Sequence, residues 1–185
     1  MAKGAGSIPM GVQVWAKQEL APPKPSFNQR LKMIVARSMR PGMADMSGHM
    51  RERRDILTPR WQTPAPRVAI IADTSGSMCG ADGGVVLRAI NQVIAYAGEA
   101  TVYYCDTETH VQKARRGQPL KAIGGGGPDL SAAVQQASAT KPDLLIMVTD
   151  GDMTWPKPPG CKHVAIITRV GAASHGWPAI QWEPS

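Results

Sequence analysis

Two stretches of the chain, Val68–Ala72 and Leu144–Val148, are unbroken runs of five apolar residues. A strand with one wet face alternates apolar and polar residues. A continuous run therefore marks a strand covered on both faces, as in a parallel sheet with helices packed on each side. The first run closes on Asp73 and the second on Thr149-Asp150-Gly151-Asp152. The sequence around them fits this frame. Residues 84–97 (GVVLRAINQVIAYA) carry Val86, Ile90, Val93 and Ala97 along one side of a helix. Thr101–Cys105 reads as a second strand ending at Asp106, and His110–Lys113 as a short edge strand running back. Pro128–Ala139 reads as a helix with proline in its first turn and Leu130, Val134 and Ala137 on one face. Asp143–Val148 is the fourth strand, His163–Thr168 a fifth and Ala179–Trp182 a sixth. Strands alternating with helices predict an α/β fold: a doubly wound, mainly parallel sheet with helices on both faces and a basic N-terminal extension.

The charge is unevenly spread. The 185 residues carry a formal net charge of +7. Residues 1–65 hold 11 basic and 4 acidic side chains, whereas residues 66–185 hold 10 of each. Residues 1–26 are rich in proline and glycine and read as a flexible tail. Residues 27–65 read as a basic helical connecting segment. Its helix runs over 27–39, with Ser26 as N-cap and Leu31, Ile34 and Val35 as its apolar stripe; residues 40–65 read as irregular. Residues 66–185 make the α/β domain. A membrane-spanning helix needs about 20 apolar residues, far beyond the longest run here. The N-terminus as given shows no apolar stretch of the kind a secretory signal requires. Three cysteines, Cys79, Cys105 and Cys161, are an odd number, which argues against a disulfide framework. A cytoplasmic setting and no membrane partner are expected.

Three loops draw attention: Asp73-Thr74-Ser75-Gly76-Ser77 after the first strand, Gly124–Gly127 with Pro128 and Asp129, and Asp150-Gly151-Asp152 after the fourth. In a sheet of strand order 3-2-1-4-5-6 the first and fourth strands are neighbours, and ligands bind at the switch between them. Asp73 and Asp150, 77 positions apart, are therefore expected at one end of the sheet. Alternating Asp73, Ser75 and Ser77 can aim three oxygens at one point, and Asp150 would close the set. Hard oxygen donors of this kind suit Mg²⁺ or Mn²⁺. A first shell with few charges leaves such an ion able to accept an outside carboxylate.

The stretch DTSGS matches the DxSxS signature of von Willebrand factor A (VWA) domains, whose metal-ion-dependent adhesion site it forms. More narrowly, VAIIADTSGSM, YYCD, GGGGPDL and PDLLIMVTDG resemble the C-terminal VWA-like domain that follows a metallopeptidase region in bacterial and phage proteins. FNQRLKMIVARSMRPG and RERR are similar to the piece preceding that domain, so the resemblance spans roughly residues 27–185. It implies a metal-dependent protein-interaction module, a protein ligand offering an Asp or Glu carboxylate, and a MoxR-like AAA+ ATPase as partner. Two departures stand out. The family has threonine where this chain has Pro128, so one hydroxyl near the metal is lost; weaker binding, an extra water, or recruitment of Asp129 could follow. The HExxH of the peptidase region does not occur in this sequence.

Two other functions compete. A metal-assisted hydrolase or phosphotransferase would want a base or a cation beside the carboxylates, and the three loops contain no Lys or Arg. Nucleic-acid binding through the basic arm, with Arg51, Arg53 and Arg54, would be sequence-blind and salt-dependent. No aromatic interleaving supports it. A non-enzymatic binding module is expected, without nucleic acid. Asp152 is expected in solvent. Trp155 is either an exposed anchor for a partner or a lid over the sheet end.

Overall fold

The computed structural model describes residues 25–38, 43–45, 60–62, 65–74, 81–105, 109–120 and 130–183. Helix α1 (Phe27–Ser38) comes first, followed by two three-residue strands, β1 (Met43–Asp45) and β2 (Arg60–Gln62). Then follow β3 (Val68–Asp73), α2 (Ala81–Ala97), β4 (Glu99–Cys105), β5 (Thr109–Arg115) and α3 (Leu130–Ala139). Strands β6 (Leu144–Thr149), β7 (His163–Ile167) and β8 (Ala179–Gln181) complete the order.

Six strands form one sheet in the order β5-β4-β3-β6-β7-β8. All neighbours are parallel except β5, which pairs antiparallel with β4 at one edge. This is the mixed, mainly parallel α/β sheet that the sequence predicts. The central strands β3 and β6 are buried at every position, as their unbroken apolar runs require. Alternate residues divide between two cores. Ile70, Ala72, Ile146 and Val148 pack with α1 and α2, and Ala69, Ile71, Leu145 and Met147 pack with α3.

Helix α1 opens with a reciprocal cap. The Gln29 amide donates to Ser26 Oγ (3.3 Å), and the Ser26 amide donates to Gln29 Oε1 (3.0 Å). Two of the amides a helix start leaves unpaired are thereby satisfied. Phe27, Leu31 and Val35 are buried in the same core as α2 and the sheet. The Phe27 ring meets Trp182 edge-on, with centroids 4.8 Å apart, and Arg30 pairs with Glu183 at 2.9 Å. Lys162 Nζ donates to the Arg37 carbonyl at 2.6 Å.

The structure differs from the sequence reading in a few places. Residues 40–65 contain an antiparallel pair, β1 with β2, which strands of three residues cannot announce by periodicity. Helix α2 begins three residues earlier than expected, running through Gly83 and Gly84. Strand β4 begins at Glu99 and β5 continues to Arg115, because the two lie in register along their whole length. The described part of α3 begins at Leu130, and Pro128 lies outside the described residues. Residues 1–24 and the arginines at 51, 53 and 54 also lie outside them.

Candidate metal centre

The parallel pairing of β3 with β6 builds the site. Ala72 is paired with Val148, so Asp73 and Thr149 end neighbouring strands side by side, and Asp150 follows directly. Asp73 is 1% exposed and Asp150 7%. Thr149 lies between their roles. Its hydroxyl donates to Asp73 Oδ2 at 2.9 Å and accepts the Gly151 amide at 3.1 Å. Met153 Sδ also lies 3.4 Å from that oxygen. The single hydroxyl proton favours the carboxyl oxygen, since a thioether sulfur is a weak acceptor.

Each carboxylate is thus held by its surroundings. Asp150 Oδ1 accepts the Asp152 amide at 3.0 Å, a side chain bonding its own backbone two residues on. Thr74, the next residue after Asp73, donates its hydroxyl to the Cys105 carbonyl and ties the start of that loop to the end of β4. Gly151 has φ +90°, and a β-carbon there would come within 2.5 Å of Ala172 Cβ. Glycine is demanded twice at this position, by the backbone and by the close approach of the loop after β7. That second loop is itself fastened: Thr168 donates its amide (2.9 Å) and its hydroxyl (3.3 Å) to the Thr149 carbonyl.

Of the expected metal ligands, the structure brings Asp73 and Asp150 to one end of the sheet. Ser75, Ser77 and Asp129 lie outside the described residues, as do Cys79, Asp106, Gly124–Gly127 and Pro128. Asp152 is exposed, as expected of a loop residue. Trp155 is half-buried and packs with Met153 against the α3-side core, which favours the lid over the free anchor. The loop beneath it is pinned by Trp177, whose indole N–H donates to the Pro156 carbonyl at 3.0 Å.

A family model described as VWA-like domain (DUF2201) matches residues 68–180. The chain belongs to the VWA-like domain family. Among solved structures four chains match. One is the ArnB paralog VWA2 from Sulfolobus acidocaldarius, with 14% identity and a TM-score of 0.42. The match covers 55% of this chain and 35% of that one, so this chain corresponds to about a third of the other's length. No curated protein matches.

Two residues of this VWA-like domain escaped the sequence reading. Thr149 and Gly151 stand inside the TDG stretch, yet only its aspartate was read as functional. The signal was available for Thr149: a hydroxyl at the last position of an otherwise apolar strand. For Gly151 a lone glycine after an aspartate reads as an ordinary turn, and only the distance to Ala172 reveals the second constraint.

Proposed function

We propose that this VWA-like domain is a divalent-metal-dependent protein-interaction module and not an enzyme. The observation that carries the reading is the buried carboxylate pair, Asp73 and Asp150, at adjacent strand ends with Thr149 orienting the first. Carboxylates drawn out of water on neighbouring strands repel each other, and a cation held beside them would offset that cost. The donors are oxygens throughout, which fits Mg²⁺ or Mn²⁺ better than softer metals. Asp73, Ser75 and Ser77 would hold the ion, Asp150 would reach it through water, and Asp129 would stand in for the hydroxyl missing at Pro128. When bound, such an ion supplies a vacant position for an outside carboxylate.

The chain's own residues supply the rest. Thr149 fixes one oxygen of Asp73 by donating its hydroxyl to it. The Asx turn at Asp150 holds that side chain near its own loop, and Gly151 lets the neighbouring turn close against it. The partner is a protein segment presenting Asp or Glu, and a MoxR-like AAA+ ATPase is the partner the family resemblance suggests. A cytoplasmic setting goes with the odd number of cysteines in the sequence. Among the described residues no helix is long and apolar enough to cross a membrane.

Titrating Mg²⁺ and Mn²⁺ into the wild type and Asp73→Ala tests the reading. Thermal stability and pull-down of a candidate ATPase partner are followed together. Metal should raise the melting temperature and partner recovery of the wild type and move neither in Asp73→Ala. Equal responses in the two proteins would remove metal dependence from the account.

A further inference from the structure

We propose a second ligand site at the opposite end of the sheet from Asp73, a cationic groove that takes the phosphoryl group of a small phosphate ester. The cavity has a volume of about 470 Å³ and lies where β3 and β4 begin and β5 ends. Its floor follows from register. Ala69 pairs with Thr101, and Thr101 with Lys113, so these three cross the sheet in one row. Glu99 pairs with Arg115 in the next row on the same face, and Arg67 stands at the start of β3. Ala69 belongs to the core under α3, so the rows lie on the α3 side of the sheet. Thr140, just past the end of α3, forms part of the wall.

The charges of this groove do not cancel. Glu99 is engaged by Arg115 at 3.3 Å, and Asp143 by Arg67 at 3.5 Å and by the Arg67 amide at 2.9 Å. Lys113 faces uncharged Thr101 across the strands, and among the described residues it forms no ion pair. The excess is positive. Two of the last carbonyls of α3, which would repel an anion, are occupied. Thr140 gives both its amide (3.2 Å) and its hydroxyl (2.7 Å) to the Ala137 carbonyl, and the Lys141 amide bonds the Ser138 carbonyl at 2.9 Å.

Lys141 adds a positive charge next in the chain to two residues that line the groove. It has φ +50°, alone among the described non-glycine residues in being left-handed. This position just past a helix end usually takes glycine. Here a cationic side chain stands there under backbone strain, between two residues that line the groove, Thr140 and Pro142. A phosphoryl group offers three terminal oxygens to the ammonium of Lys113, the guanidinium of Arg115 and a threonine hydroxyl, where a carboxylate offers two. The cavity has the size of a small-molecule site, typically about 300–1,000 Å³.

The test uses the ¹⁵N-labelled full chain with no divalent cation added, so it does not depend on the metal reading. Inorganic phosphate, glycerol phosphate, succinate and sodium chloride are titrated at matched ionic strength, and amide shifts are followed. Glycerol phosphate and phosphate should saturate shifts at Thr101, Lys113 and Lys141. Lys113→Gln should weaken them about tenfold, the loss expected of one charge-assisted contact. Glu99→Gln, which removes the competing acid, should strengthen them several-fold, by roughly the reverse of that effect. Shifts no different from those in sodium chloride, equal saturation by succinate, or an unchanged affinity in Lys113→Gln would each overturn the proposal.

Discussion

Thr149 bears on the candidate centre through one oxygen atom. It gives its proton to Asp73 and takes one from Gly151, so both halves of the strand-end pair lean on it. Thr149→Val keeps the shape and removes both bonds inside a buried site. It should destabilise the protein by about 1–3 kcal/mol, whereas Thr149→Ser should recover most of the loss. Urea denaturation measures both, and a valine variant as stable as the wild type would show that the hydroxyl matters little. Tyr104 presents the opposite case. It is 1% exposed, its hydroxyl is buried with no hydrogen-bond partner among the described residues, and burial pushes its ionisation above the ordinary value of 10.0. Between the unfolded and folded values the native state holds the extra proton, so stability falls as pH rises. The contribution is complete below about pH 10 and is lost progressively above it. Burial raises Cys161 in the same way from 9.0, and it acts with the same sign at somewhat lower pH. Tyr104→Phe should therefore flatten the alkaline limb of stability against pH. At neutral pH it should match the wild type or exceed it by about 1 kcal/mol.

Helix α1 belongs energetically to the sheet it covers. Leu31 is fully buried, and Phe27 and Val35 are nearly so, against α2 and the strands. Leu31→Ala should cost about 2–5 kcal/mol, the range for emptying a core position. A melting temperature unchanged by Leu31→Ala would make α1 a loosely attached connector. The sequence foretold this helix well, because its stripe repeats at helical spacing and Ser26 caps it. It foretold the central strands better, since burial on both faces leaves no polar residue within them. It misplaced the start of α2, because Gly83 and Gly84 resemble a turn yet stand within the helix whose Val86, Ala89 and Ile90 are buried. Strands β1 and β2 were invisible, as their pairing depends on a partner distant in sequence rather than on any local pattern. For the centre itself, Asp73 and Asp150 were legible because each closes or follows an apolar run. Their hydrogen-bond partners were not, because which hydroxyl meets which carboxylate is settled by register across strands.

The whole fold brings together what the chain keeps 77 residues apart. Strand order places β3 beside β6, and the parallel pairing sends both carboxyl ends to one pole, with the cationic groove at the other. On the proposed reading an ion bound at the first pole offsets the burial of its two acids, and this has a measurable sign. Asp73→Asn removes the charge but keeps a carbonyl oxygen to accept from Thr149. In chelator the variant should be at least as stable as the wild type, since a buried charge has been replaced by a neutral amide. In Mg²⁺ at a hundredfold excess over the dissociation constant, the wild type should gain about 2.7 kcal/mol, while the variant gains little. For a chain of this size that gain is worth roughly 5–11 °C in melting temperature. The order of stability should therefore reverse between chelator and metal. A variant that trails the wild type by the same margin in both conditions would mark Asp73 as a structural acid, held for its bond to Thr149 and not for an ion.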